Sequence, residues 1–104
     1  MKKTLHLISD STGQTVANVA SATLALYDGE DIEEKLHVFV RSMAEVDAVI
    51  SEIKANPGLV FLTMVDQQSK QKIISAANDI GVEAIPLLNP AIAGLGRFLG
   101  KRAV

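Results

Sequence analysis

Four short apolar runs alternate with four helical patterns along the 104 residues, and only a few residues separate each run from the pattern that follows it. The runs predict strands at residues 4–8, 35–40, 59–65 and 82–88. Strands and helices that alternate in this way form a parallel sheet with helices on both faces. We therefore predict a single α/β domain over residues 1–104. Its architecture should be a Rossmann- or flavodoxin-like three-layer sandwich with strand order 2-1-3-4.

Residues that satisfy free backbone groups mark where the helices begin. Ser42 and Glu45 form a capping box ahead of a stripe that is expected to be buried. Asp66 is placed to cap the third helix, and Asn89, followed by Pro90, to cap the fourth. The inward-facing residues of the first and last helices are predicted to be Val16, Val19, Ala20, Leu24 and Tyr27, and Ile92, Leu95 and Leu99.

Composition argues against several classes of function. The net charge is −2 and aromatic residues make up 4% of the chain, so neither nucleic acid nor a membrane surface is an expected partner. The chain has no cysteine, and its two histidines, His6 and His37, lack a nearby third ligand. We therefore expect structural histidines and no metal. Since no run approaches the roughly 20 apolar residues of a membrane span, we expect a soluble, cytoplasmic protein.

A polar turn, termed the 9–13 turn, follows the first strand directly. It consists of Ser9, Asp10, Ser11, Thr12 and Gly13. In parallel α/β sheets, ligands bind outside the carboxyl ends of the strands, beside such a turn. Hydroxyl groups and free N–H groups at the start of the next helix suit phosphate or another anion. In a simpler interpretation, Ser11 or Thr12 only caps the helix and Asp10 only shapes the turn.

Polar residues follow the other predicted strands as well. Arg41 is placed to contact an anion at the 9–13 turn, and it is equally compatible with a solvated loop cation. Asp66 and Asn89 are secondary candidates at the same edge of the sheet, with a cap as the favoured role of Asp66. Asp10 is the best candidate for a catalytic group.

The 9–13 turn also carries a resemblance to a known family. The stretch HLISDSTGQT, from His6 to Thr15, resembles the opening of the bacterial pyruvate, phosphate dikinase and phosphoenolpyruvate synthase regulatory proteins, which form the kinase–pyrophosphorylase family. The resemblance continues through Phe39-Val40-Arg41, Pro57-Gly58-Leu59-Val60, Thr63-Met64-Val65-Asp66, Gly81-Val82, Leu88-Asn89-Pro90 and Leu99-Gly100. Aspartate is expected where this chain has Asn89, so the chain lacks a carboxylate at that position.

The resemblance implies the N-terminal domain of a bifunctional serine/threonine kinase and phosphorylase. Such an enzyme uses ADP to phosphorylate a threonine of the dikinase or synthase, and uses phosphate to remove that group as pyrophosphate. The family's nucleotide-binding P-loop lies in a C-terminal half that is absent from these 104 residues. We therefore expect no cofactor in this chain, ADP and phosphate as ligands of the longer protein, and no kinase activity from the chain alone.

The implied partners are the dikinase or the synthase and the C-terminal kinase half, and a homodimer is also compatible with the sequence. The alternative, from another functional class, is a non-catalytic flavodoxin-like module that binds phosphate, another anion or a protein. A third interpretation is a receiver-like signalling domain phosphorylated on Asp66. A receiver also needs a fifth strand with a lysine, which this chain does not have.

Overall fold

Four strands and four helices alternate in the computed structural model, which describes residues 2–103 and leaves Met1 and Val104 outside. The elements are β1 (Lys3–Ser9), α1 (Gln14–Leu24), β2 (Ile32–His37), α2 (Met43–Ala55), β3 (Leu59–Thr63), α3 (Gln67–Ile80), β4 (Ala84–Pro86) and α4 (Asn89–Leu99). The strands form one parallel sheet in the order β2-β1-β3-β4. The predicted α/β class and strand order are confirmed.

The sheet is covered on both faces because successive side chains of a strand point to opposite sides. One face packs against α2 and α3, with a core of Ile8, Val40, Val46, Val49, Ile50, Ile53, Val60, Leu62, Met64 and Ile73. The other face packs against α1, with a core of Leu5, Leu7, Val16 and Ala20. Helices cover both faces of β1, the strand between β2 and β3, which explains its nearly continuous apolar run.

β2 begins and ends three residues earlier than predicted, at Ile32–His37 rather than at residues 35–40. It is an edge strand, and most of its side chains are partly or fully exposed. An exposed edge strand tolerates charged residues such as Glu33 and Glu34. Hydrophobicity therefore does not mark where this strand begins. β3 and β4 are also shorter than predicted.

The predicted caps of α2 and α3 are confirmed. The Ser42 hydroxyl accepts from the Glu45 amide at 3.2 Å, and the Glu45 carboxylate accepts from the Ser42 amide at 2.9 Å. The Asp66 carboxylate accepts from the Ser69 amide at 2.9 Å. Hydrogen bonds from the Arg41 amide, and then from Ser42, lower the pKa of Glu45 below its ordinary value. The bond from Ser69 lowers the pKa of Asp66 in the same way.

The predicted cap of α4 is wrong. Leu88 precedes the helix, and Asn89 is the first helical residue. The Asn89 side chain accepts a hydrogen bond from Lys70, so it is not available to cap α4. A cap depends on the local backbone, but here a side chain from α3 competes for the same amide oxygen.

The predicted inner faces of α1 and α4 are only partly correct. Leu95 and Leu99 are more than half exposed, and none of the residues of α4, which the structure describes in full, is fully buried. Tyr27 is 68% exposed because α1 ends at Leu24 and Tyr27 lies in the following turn. No helix within residues 2–103 is both long and apolar enough to cross a lipid bilayer.

Candidate functional site

A cavity of about 190 Å³ opens beside the 9–13 turn, at the carboxyl end of β1. All five residues of the turn line it, together with Gln14, Thr15, Thr63 and Leu88. Thr63 ends β3 and Leu88 follows β4, so the cavity spans the ends of three strands. This is the edge at which parallel α/β sheets bind ligands. A larger and mostly apolar cavity, about 440 Å³, lies at the opposite edge, beside Lys3 and Gly58.

The connection between β2 and α2 holds the 9–13 turn through its backbone carbonyl groups. Two amides and one guanidinium of the connection donate to three consecutive carbonyls of the turn. The pairs are Val40 N with Ser9 O at 3.0 Å, Arg41 Nε with Asp10 O at 2.7 Å, and Phe39 N with Ser11 O at 2.9 Å. Because these carbonyl oxygens are already hydrogen-bonded, the groups left for a ligand are mainly amides and hydroxyls.

Phe39 has a backbone conformation that few residues adopt. Its φ is 53°, in the left-handed region, where a non-glycine residue costs of order 1–3 kcal/mol. The Arg41 guanidinium carbon lies 5.0 Å from the centroid of the Phe39 ring, which is a cation–π contact. Sequence reasoning missed Phe39, because a phenylalanine in an apolar run carries no signal for a positive φ. Backbone strain of this kind concentrates at functional sites.

Asp10 connects the turn to the end of β3. Its Oδ2 accepts a hydrogen bond from the Val65 amide at 3.1 Å. The Ser9 hydroxyl accepts from the Ser11 amide at 3.0 Å and closes a small loop within the turn. Asp10 therefore has a structural role. Among residues 2–103, no donor bonds to its second carboxylate oxygen, which leaves that oxygen for a ligand or for water.

The start of α1 is the strongest anion-binding feature of the cavity. The residue before the helix is Gly13, which has a φ of 88° and no side chain that could accept from the helix amides. Within residues 2–103, the amides of Thr15 and Val16 find no acceptor. The Gln14 amide has only a long bond of 3.4 Å to the Thr12 hydroxyl. Free amides at the positive end of a helix favour an anion.

The helix start also contradicts one part of the simpler interpretation of the 9–13 turn, the capping of α1 by Ser11 or Thr12. No side chain of the turn caps α1, because the position before the helix is taken by Gly13. A glycine is required there, since a φ near 90° strains any L side chain. The hydroxyl groups of Ser11 and Thr12 are therefore not used up by capping the helix.

A single formal charge lies among the residues that line this cavity, the carboxylate of Asp10. A negative group repels an anion at close range. A bound phosphate would therefore have to gain more from the helix amides and hydroxyls than it loses to Asp10. The start of α1 therefore favours an anion in this cavity, whereas Asp10 repels it. Substitution of Asp10 alone can measure the second effect.

Three of the predicted site residues lie around the cavity without lining it. Arg41 is placed behind the turn, bonded to the Asp10 carbonyl. Asp66 caps α3. Asn89 lines a neighbouring cavity of about 570 Å³. Direct contact of any of these residues with a ligand stays a prediction, as does a catalytic role for Asp10.

His6, which is buried, and His37, which is half-buried, form a pair on the sheet. His6 Nε2 lies 2.7 Å from the Asn56 carbonyl oxygen, which can only accept, so Nε2 carries the proton. In neutral His6, Nδ1 then accepts from His37 Nε2 at 3.1 Å. Burial, and next the charge on His6, lower the pKa of His37, while Glu52 raises it. No cluster of three or more metal-ligating side chains occurs among residues 2–103.

Comparison with known proteins relates this chain to one protein family. A family model described as kinase/pyrophosphorylase matches residues 5–104. Similar proteins named as pyruvate, phosphate dikinase regulatory proteins occur in Paramagnetospirillum magneticum (43% identical over 96 residues, 92% of this chain) and Rhizorhabdus wittichii (36% over 100 residues, 96% of this chain). Another from Maricaulis maris is 35% identical over 97 residues, 93% of this chain. The chain spans only 31%, 36% and 35% of the respective lengths of these relatives.

Proposed function

Since this chain belongs to the kinase/pyrophosphorylase family, we propose that it is the N-terminal domain of an enzyme that regulates pyruvate, phosphate dikinase. The names of its relatives favour the dikinase over phosphoenolpyruvate synthase as the target. The enzyme transfers a phosphoryl group from ADP to a threonine of the target, leaving AMP. It removes that group by transfer to inorganic phosphate, which releases pyrophosphate. ADP and phosphate are therefore its ligands.

Within that enzyme, the 9–13 turn binds the phosphoryl group that is added or removed. The observation that supports this role is the open start of α1, where the Thr15 and Val16 amides have no acceptor among residues 2–103. Gly13 allows an anion to approach the backbone closely. A nucleotide site elsewhere in the longer protein completes the active site, so this chain alone binds phosphate without being a kinase.

A phosphate titration of the 104-residue chain, followed through its backbone amide NMR signals, tests the binding step. The expected result is a saturable shift of the Thr15 and Val16 signals, whose amides have no acceptor among residues 2–103, and of the Ser11, Thr12 and Gly13 signals beside them. Sodium chloride at matched ionic strength should not reproduce it. If neither phosphate nor pyrophosphate shifts these signals at millimolar concentration, the 9–13 turn is not a phosphate site.

The substitution Asp10→Asn separates the two electrostatic features of the cavity. Its side-chain oxygen can still accept from the Val65 amide, while the negative charge is removed. Phosphate should bind about five-fold more tightly or better, since repulsion between unit charges a few ångströms apart near a surface exceeds 1 kcal/mol. Asp28→Asn, in the exposed loop after α1, is the matched control and should leave affinity unchanged. Weaker binding by Asp10→Asn would mean that the carboxylate itself holds the ligand.

The activity has to be measured on the longer protein that contains this chain. With ADP present, mass spectrometry should detect a phosphothreonine on pyruvate, phosphate dikinase. Addition of inorganic phosphate should remove it with stoichiometric release of pyrophosphate. Failure of both reactions would exclude the enzyme and leave an anion-binding module.

A further inference from the structure

A buried lysine lies near the start of α3, outside the cavity of the 9–13 turn. Lys70 is only 3% exposed, and its Nζ donates to the Asn89 side-chain oxygen at 2.8 Å. Asn89 is neutral. Among residues 2–103, the ion pair within 4.0 Å is that of Lys72 with Asp47, so Lys70 has no carboxylate partner there.

Lys70 and Asn89 line a cavity of about 570 Å³ at the carboxyl edge of the sheet. The other lining residues are Val65, Gln67, Ile92, Ala93 and Ala103, none of which carries a charge. The carboxylates near this edge accept hydrogen bonds elsewhere: Asp66 from the Ser69 amide and Asp10 from the Val65 amide. The cavity therefore contains a buried cation and no anion among the described residues.

This arrangement is chemically incomplete. An ammonium group has three N–H donors, and only one of those of Lys70 has an acceptor within residues 2–103. Removing a charge from water is costly unless an opposite charge or several hydrogen bonds replace the water. A small oxyanion in the cavity would supply both, since it accepts from Nζ while the Asn89 amide nitrogen donates to it. We propose that Lys70 and Asn89 form an oxyanion-binding site that accepts inorganic phosphate.

The proposed oxyanion site is separate from the cavity of the 9–13 turn. The two cavities share no lining residue. They lie side by side, because Leu88 lines one and Asn89 the other, and because Asp10 of one bonds to Val65 of the other. The proposal rests on the burial of Lys70 and does not depend on the family or on phosphate binding at the 9–13 turn.

The test compares two lysines of α3 in a phosphate titration of the 104-residue chain. The reporters are the Lys70 ¹³Cε–¹Hε signal and the Asn89 side-chain amide signal. Lys70→Gln removes the buried charge, and Lys72→Gln removes an exposed charge two residues further on in the same helix. Phosphate should shift both reporters saturably in the native chain and in Lys72→Gln. In Lys70→Gln, the phosphate affinity measured from the Asn89 signal should fall about ten-fold or more, because a hydrogen bond from a charged group to the phosphate is lost.

A second substitution keeps the proposal testable if Lys70→Gln does not fold. Asn89→Asp provides a permanent carboxylate at the position of the amide that Lys70 now contacts. It should raise the melting temperature and abolish the phosphate-induced shift of Lys70, because the internal carboxylate takes the place of the ligand. An Asn89→Asp chain that still shows the native phosphate response at Lys70 would overturn the proposal.

The remaining outcomes are also decisive. Unchanged Lys70 and Asn89 signals at tens of millimolar phosphate overturn the proposal, as does the same affinity at Asn89 in Lys70→Gln and the native chain. If the amides of the 9–13 turn shift while Lys70 does not, the proposed function stands and this second site does not exist. The reverse pattern supports the Lys70 site and contradicts phosphate binding at the turn.

Discussion

At its amino-terminal end β1 packs directly against the start of β3, whereas at its carboxyl-terminal end it leads into a turn held by hydrogen bonds. At the first end, a Cβ on Gly58 would overlap the Thr4 carbonyl oxygen and lie 2.8 Å from the carbonyl carbon. At the second end, Phe39 has a positive φ and the first amides of α1 have no acceptor within residues 2–103. Close backbone packing therefore stabilises one end of the strand, while the other keeps strain and free donors where a ligand would bind.

Gly58→Ala should have the largest effect on stability, at the packed end. The added methyl group meets the backbone of β1, which cannot move without separating paired strands. We expect a loss of about 3 kcal/mol or more, the upper part of the range for overpacked cores. Urea denaturation measures it. Gly94→Ala is the control, because its Cβ would meet only the Arg97 side chain at 3.8 Å, and it should be neutral or stabilising. Equal urea midpoints for Gly58→Ala and Gly94→Ala would contradict the close approach of Gly58 to the Thr4 backbone.

Gly13→Ala should have the next largest effect, at the open end. Its φ of 88° strains an alanine by about 1–2 kcal/mol. The methyl group would also lie 2.9 Å from Val38 Cγ1 and 3.0 Å from Leu36 Cδ1. Gly81→Ala has nearly the same φ, 91°, with no neighbouring atom within 4 Å, so it reports the backbone strain alone. Gly13→Ala should be the less stable of the two in urea, and only Gly13→Ala should weaken phosphate binding.

Arg41→Gln should have a smaller effect, of about 1 kcal/mol, because the pair it breaks is exposed. The substitution removes a charge-assisted hydrogen bond to the Asp10 carbonyl and the cation–π contact with Phe39. Faster hydrogen exchange of the Phe39 and Val40 amides would show that the connection between β2 and α2 has loosened. The control Arg97→Gln, at an exposed position of α4, should change neither the stability nor the hydrogen exchange of these amides. If hydrogen exchange of the Phe39 amide is unaffected by Arg41→Gln, the Arg41 side chain does not stabilise the turn.

The smallest expected effect is the pH dependence of folding stability that is due to His37. The native pKa lies below the ordinary value of 6.5, chiefly because burial disfavours the charged ring. The unfolded chain therefore binds more protons below about pH 6.5, so stability is constant above that pH and falls as the pH drops toward the native pKa. Thermal melts between pH 7.5 and 5.5 should show this loss, and His37→Gln should reduce it. The capping carboxylates Glu45 and Asp66 stabilise the fold throughout this pH range, and their contribution is lost only below about pH 4.5, because their native pKa values lie below 4.5 and 3.8.

Features that depend on neighbours within one helical turn could be predicted from the sequence. The capping box at Ser42 and the buried stripe of α2 are both present. Periodicity succeeds there because the sheet covers the stripe. It fails for α4, where Leu95 and Leu99 of the predicted inner face are 59% and 57% exposed. An amphipathic pattern predicts a helix, but it does not tell which surface, if any, covers the helix.

The part of the candidate site that lies within one short stretch of the chain was also predictable. All five residues of the 9–13 turn line one cavity, as expected of a polar turn at the carboxyl end of a central strand. Phe39 and Lys70 were not found, because neither a positive φ in an apolar run nor the burial of one lysine among several leaves a mark in the sequence. Asn89 was placed at the correct edge and given the wrong partner.

By itself, the sequence determined the order of the elements, the parallel sheet and the polar turn that follows its central strand. Periodicity, glycine positions and capping residues act over a few residues, so they can be read along the chain. The tertiary structure decided how the turn is held and which charges meet at the sheet edge. The bond from Val65 to Asp10 joins residues 55 apart, and that from Lys70 to Asn89 joins residues 19 apart. Such pairs depend on strand register and helix packing, which bring together groups that no local pattern relates.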